Sequence, residues 1–145
     1  MYERIGTVDE DTASRLSAAL TRFVQIGGNP GQEANYQTTS KLPLEILSPL
    51  PLDIDFVQSI AVRIKPGGVL HEHTHDKIND QGKIRYHIVL ETNDDCECWN
   101  GGVAYKLEKY GIYSMQPYLP HKSFNRGDTD RTHLILVTNG EYRDS

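Results

Sequence analysis

Residues 56–75 read FVQSIAVRI-KPGG-VLHEHTH. A run rich in β-branched and aromatic residues stops at a Lys-Pro-Gly-Gly break and a second run begins at once. Strands look like this, because successive side chains on a strand point to opposite faces and Pro-Gly pairs interrupt the ladder. The same rhythm continues down the chain. The later runs are KIRYHIVLET (83–92), CECW (96–99), VAYKLE (103–108), IYSMQ (112–116), HKSFN (121–125) and RTHLILVT (131–138). They are separated by DKINDQG, NDD, NGG, KYG, PYLP and RGDTD. Eight short strands with turn signals between them predict an all-β sandwich or barrel.

Upstream, the pattern differs. Residues 9–24 place Leu16, Ala19, Leu20 and Phe23 at helical spacing behind an Asp-rich start, which predicts an amphipathic helix packed outside the barrel. The Gly-, Asn- and Gln-rich segment 26–40 reads as a loop. The Pro-rich segment 42–53 reads as an irregular lead-in.

The chain has 145 residues, 37% of them hydrophobic, which suits one domain over 1–145 with a core of its own. A net charge of −5 argues against a broad nucleic-acid footprint. No stretch approaches the roughly 18 apolar residues of a membrane span. The start, MYERIGTVDEDT, has no basic, then apolar, leader pattern, so a cytoplasmic protein is expected. The two cysteines, Cys96 and Cys98, stand two apart on a predicted strand. Their Cα atoms would lie roughly 6.5 Å apart along it, a poor geometry for a bridge.

The six histidines carry the chemistry. His71, His73 and His75 alternate with Glu72 and Thr74, so on a regular strand they share one face. His121 lies far along the chain, where a second strand can bring it to the same metal ion. Non-heme iron is commonly held by two histidines and a carboxylate on one face, with other positions open. Arg131 opens a strongly β-forming run, and an arginine aimed into a barrel gives a planar two-point grip on a carboxylate. Arg85 and His87 share a strand face opposite Tyr86, Ile88 and Leu90. A cation and an imidazole on one face of a central strand suit an anion inside the barrel.

Taken together, Arg63-Ile-Lys-Pro-Gly-Gly, His73-Thr-His, Arg85-Tyr-His87-Ile-Val-Leu-Glu-Thr-Asn, Trp99-Asn-Gly-Gly, Gly111, Pro120-His121-Lys-Ser-Phe-Asn125 and Arg131-Thr-His-Leu-Ile-Leu resemble the aspartyl/asparaginyl β-hydroxylase family of 2-oxoglutarate- and iron(II)-dependent oxygenases. The match runs from about Arg63 to Val137. It implies a double-stranded β-helix, the jelly roll shared with cupins. It implies His73 and His121 as iron ligands and Arg131 as the partner of the distal carboxylate of 2-oxoglutarate. Arg85 and His87 become further cosubstrate contacts, and Asn125 takes a turn or supporting role. The implied reaction hydroxylates a C–H of an amino acid or peptide side chain with dioxygen, giving succinate and carbon dioxide.

One position departs from the wider superfamily. His75 stands where most of these enzymes carry the aspartate of a metal triad, and the hydroxylase branch dispenses with that carboxylate. Three arrangements remain open: His75 as a third ligand, His75 turned away, or Asp76 reaching the metal through a register slip. Another metal-dependent cupin enzyme with a three-histidine site, or a non-catalytic ligand-binding jelly roll, are the competing readings. The Arg85 and Arg131 positions favour the oxygenase. Tyr36, Trp99 and Tyr118 are candidates to line a substrate pocket; the substrate and the oligomeric state are left open.

Overall fold

A computed structural model describes residues 2–26, 35–38, 42, 44–52, 56–73, 83–115 and 119–141. Its elements are β1 (Glu3–Thr7), α1 (Glu10–Ala19), β2 (Val24–Gln25), β3 (Asn35–Gln37), α2 (Leu44–Leu47), β4 (Phe56–Ile64), β5 (Val69–His73), β6 (Lys83–Glu91), β7 (Cys96–Asn100), β8 (Val103–Tyr105), β9 (Gly111–Met115), β10 (His121–Asn125) and β11 (Arg131–Glu141). They build a seven-stranded sheet, β1-β9-β6-β11-β4-β3-β2, and a four-stranded sheet, β5-β10-β7-β8. The strand pairs are antiparallel. The expected all-β jelly roll is the observed fold. Among the described residues no helix is long and apolar enough to cross a membrane.

Turn chemistry follows the sequence closely. Gly68 N donates to Lys65 O across the β4–β5 turn, and Gly67 takes φ +83° there, which a Cβ would oppose. Gly101 and Gly102, both at positive φ, close the β7–β8 hairpin between the partners Asn100 and Val103.

The register sorts side chains onto two faces of the large sheet. Ala61, Tyr86, Ile88, Leu90, Ile112, Leu134 and Leu136 form one buried face. Ala13, Leu16 and Leu20 of the α1 region and Leu42, Leu47 and Leu50 cover it. Arg85, His87, Arg131 and Ile135 occupy the opposite face and line the space between the sheets. In the small sheet, Cys96, Cys98 and Asn100 of β7 and His121, Ser123 and Asn125 of β10 are the buried set.

Two buried asparagines join the sheets. Asn35 Nδ2 on β3 donates to Val69 O on β5 at 2.9 Å. Asn125 Nδ2 on β10 donates to Ile64 O on β4 and to Thr129 O, both at 2.8 Å. Asn125 Oδ1 accepts from Asn93 Nδ2 and from Gly127 N, each at 3.1 Å. The supporting role expected of Asn125 is thus to fasten the connection that carries the chain from His121 to Arg131. A Cβ at Gly127 would collide with the Asn93 side chain.

Three expectations need correction. The helix does not run over 9–24. It is capped by Asp9, whose carboxylate accepts from Thr12 N at 2.7 Å, and it ends at Ala19, with Leu20 extended. Val24–Gln25 then pairs with β3, and Phe23 packs under the Arg63 guanidinium at 4.1 Å. Sheet pairing overrides the helical spacing of Phe23. The segment 26–40 holds β3, and the lead-in 42–53 holds α2. The third concerns the histidine run: between His121 and Ser123 the partner strand advances from His73 to Leu70, one residue more, and the ladder register shifts. Strict alternation breaks there, and His71 and Glu72 are both exposed.

Asn125→Ala should remove the bonds to Ile64 O and Gly127 N and one of the two to Thr129 O, which keeps Asn93 Nδ2. A loss of about 2–4 kcal/mol is expected from several unmade bonds of roughly 1–3 kcal/mol each, partly recovered by water. The urea midpoint of the purified protein checks it.

Candidate functional site

Between the sheets lies a cavity of about 270 Å³. That is near the small end of ligand pockets, which run from roughly 300 to 1,000 Å³, and it suits a small acid. Its walls are apolar at Ile26, Ile60, Val62, Leu70, Met115 and Ile135. Its polar lining comes from Tyr2, Gln37, Arg85, His87, His121, Ser123 and Arg131. So four residues singled out in the sequence, Arg85, His87, His121 and Arg131, meet in one place although 46 positions separate Arg85 from Arg131.

Arg131 is 2% exposed. Its Nη2 donates to His133 Nδ1 at 2.8 Å and to Cys98 Sγ at 3.6 Å, and its Nε has no partner among the described residues. Among the described residues no carboxylate lies within salt-bridge distance of it. A buried cation without a counter-ion is costly, so such a site favours an incoming anion. Arg85 is half-buried and lines the same cavity.

His121 Nδ1 lies 2.8 Å from Leu119 O. A carbonyl only accepts, so Nδ1 carries the proton and the lone pair sits on Nε2. Metal-binding histidines commonly have this arrangement, with the other ring nitrogen donating to a carbonyl. Backbone register makes His73 the Cα partner of His121 across β5 and β10. His75 and Asp76 lie outside the described residues. Among the described residues, no group of three or more His, Cys, Asp or Glu side chains gathers at one point.

His87 and His133 are both buried, with Nδ1 atoms 3.0 Å apart and rings in a T-shaped contact. Burial first, and then the Arg131 cation, hold both well below the ordinary imidazole range. His121 and Arg85 add to the effect at His87. Tyr2 meets His87 edge-on at 5.4 Å, and burial pushes its phenol far up, so the ring stays neutral.

The aromatic candidates sit elsewhere. Trp99 lies on the alternate, outer positions of β7 with the Lys122 ammonium 4.8 Å over its ring. Tyr36 is opposite Arg63 and carries the Lys65 ammonium 5.0 Å over its ring. Neither lines the cavity; Tyr118 lies outside the described residues. Arg63 belongs to the outer face, bonded to Thr132 and Glu91. The sequence reading missed Tyr2 and His133. A signal existed for His133, two residues beyond Arg131 on the same strand and so on the same face. None existed for Tyr2, which arrives from the other end of the chain.

A double-stranded β-helix enclosing a cavity with buried arginine and histidine places the chain among the cupin-like jelly rolls. The family model for aspartyl/asparaginyl β-hydroxylase matches residues 29–139, and the chain belongs to that family of 2-oxoglutarate-dependent dioxygenases. No curated protein sequence matches the chain. Solved structures are similar in fold. A 2OG-Fe(II) oxygenase family oxidoreductase from Burkholderia pseudomallei superposes with a TM-score of 0.66 at 13% identity, over 94% of this chain and 84% of that one. A predicted oxalate decarboxylase from Thermotoga maritima gives 0.57 at 15% identity, over 84% and 95%. The cupin domain of an XRE family transcriptional regulator from Enterobacter cloacae gives 0.53 at 17%, over 74% and 99%.

The two buried histidines set a pH dependence. In the unfolded chain each protonates near 6.5, while the folded protein keeps both neutral well below that. The unfolded state therefore binds more protons as the pH falls. Stability should be flat above about pH 7 and drop below about 6.5, by up to about 2.7 kcal/mol per pH unit for two sites. Urea midpoints across this range check it, and a midpoint that does not move would contradict a neutral buried pair.

Proposed function

We propose that this protein uses iron(II) and 2-oxoglutarate to hydroxylate a C–H of an amino acid or peptide side chain. The observation that carries the reading is Arg131, a cation 2% exposed, with no carboxylate partner among the described residues, lining a small cavity. A carboxylate of the cosubstrate supplies the missing counter-ion, and the guanidinium fork holds it in two-point geometry. Arg85, on the same face of the neighbouring strand, is the second cation for the dicarboxylate.

We assign the iron to His73 and His121, with His75 as the third ligand. The Leu119 carbonyl on His121 Nδ1 supports this, since it leaves Nε2 as the coordinating nitrogen. The register pairing of positions 73 and 121 supports it as well. When bound, iron(II) with 2-oxoglutarate and dioxygen supplies the oxidising power for C–H hydroxylation, with succinate and carbon dioxide as coproducts. The protein's own part is to hold the carboxylates at Arg131 and Arg85, to orient the His121 ring, and to exclude water. Ile60, Val62, Leu70 and Ile135 serve the last purpose. The whole chain acts as one catalytic domain in this reading. Cys96 and Cys98, buried and unbridged, agree with a reducing cytoplasmic compartment.

Anaerobic addition of iron(II) and 2-oxoglutarate to the purified protein should give a visible metal-to-ligand charge-transfer band, and aerobic incubation should release succinate. Neither signal appearing would sink the reading. Arg131→Ala should weaken 2-oxoglutarate binding by roughly 30- to several-thousand-fold, the equivalent of about 2–5 kcal/mol, and leave iron binding nearly intact. His73→Ala and His121→Ala should abolish iron binding; retained binding in His75→Ala would remove His75 from the ligand set.

A further inference from the structure

Two of the residues that line the cavity, Tyr2 and Ile26, precede the family stretch 29–139, and of these only Tyr2 is polar. The strand that follows Tyr2 is firmly held. β1 pairs with β9 from Glu3 opposite Ser114 to Thr7 opposite Gly111. Arg4 Nη1 donates to Glu108 Oε2 at 2.7 Å, and Val8 N donates to Tyr110 O at 2.8 Å. Tyr2 is thereby seated at the end of β9, buried in one cluster with Met115, Tyr113, Val89 and Cys98. It approaches the surroundings of the Arg131 guanidinium from two sides. Its ring stands edge-on to His87 at 5.4 Å, and His87 in turn contacts His133, which accepts from Arg131. Cys98, of the same cluster, takes the other contact of Arg131 Nη2 at 3.6 Å. After burial itself, Cys98 and Arg131 are the groups whose charges act on the phenol. Burial dominates, so the hydroxyl keeps its proton through the neutral range.

We infer that Tyr2 is a cosubstrate-binding residue: its hydroxyl donates a hydrogen bond to the carboxylate that Arg131 holds. The inference rests on the oxygenase reading for the identity of the ligand. A carboxylate offers about four lone-pair sites, and a guanidinium fork fills two of them. The oxygens left over need donors inside a cavity whose other walls at Ile60, Val62, Leu70, Met115 and Ile135 supply none. A neutral phenol is such a donor, and unlike a third cation it adds no charge to be buried. Tyrosine suits the place for a second reason. Its ring is a large apolar body that fills the gap between β6, β7 and β9, and its polar tip seeks a partner when buried. The part of the chain ahead of the family stretch thus adds a contact to the site. The ring contact with His87, at an interplanar angle of 88°, fixes the phenol beside the other side chains of that wall.

The test is calorimetric titration of the full chain, loaded with zinc(II) as a redox-inert substitute for iron. The ligands are 2-oxoglutarate and glutarate, the same dicarboxylate without the keto oxygen. Tyr2→Phe removes only the hydroxyl. It should weaken both ligands by a similar factor, about tenfold, as expected for one lost bond to a charged group. Zinc affinity and the urea midpoint should stay as they are, whereas a role in packing alone would lower the midpoint and spare the affinities. Equal affinities in Tyr2→Phe and the unaltered protein would overturn the role of Tyr2 and leave the oxygenase reading standing. Glutarate bound as tightly as 2-oxoglutarate by the unaltered protein, with Tyr2→Phe still weaker, would count against the oxygenase reading and leave Tyr2 standing. Binding of neither ligand would overturn both. In the unaltered protein carrying ¹³C at tyrosine Cζ, the Tyr2 resonance should move when glutarate is added. A resonance that stays in place overturns the role even if Tyr2→Phe does not fold.

Discussion

Arg131 carries its charge into one of the least hydrated parts of the molecule, and much of the interior is arranged around that fact. Transferring an uncompensated cation from water into a low-dielectric site costs several kcal/mol even after relaxation. The protein supplies soft acceptors, His133 Nδ1 and Cys98 Sγ, but no counter-charge among the described residues. The cavity therefore places a buried guanidinium with no carboxylate partner among the described residues on its wall.

Maintaining it requires a rigid frame. β11 pairs with both β4 and β6, so the backbone under Arg131 and His133 is held from two sides. The connection from β10 is pinned by Asn125 and Asn93, so His121 and Arg131 keep a fixed relation across the two sheets. The opposite face of the large sheet is buried beneath α1 and α2, which leaves the polar residues no alternative but the inner face. A register slip of one residue in β11 would exchange Arg131 and His133 for Thr132 and Leu134, and the packed core makes that exchange very unfavourable.

Neighbouring imidazoles in such a site become directional. In water either nitrogen of a histidine can hold the proton. Beside Arg131 the choice is narrowed, because His133 Nδ1 accepts from the guanidinium at 2.8 Å. His121 is set separately by the Leu119 carbonyl.

The sequence by itself determined the strand succession from Phe56 onward, the turns at Lys65-Pro66-Gly67-Gly68 and Asn100-Gly101-Gly102, and the inward placement of Arg85, His87, His121 and Arg131. These are consequences of a period of two and of backbone conformations open mainly to glycine, both local properties. Only the tertiary structure decided that the helix stops at Ala19 and the chain enters the sheet at Val24, that β1 to β3 join the large sheet, and that a register shift interrupts the pairing of β5 with β10. It also decided that Tyr2 closes the cavity and that His133 stands behind His87. Each of these depends on which strand edge, ring or charge arrives from a distant part of the chain, and no local pattern encodes that meeting.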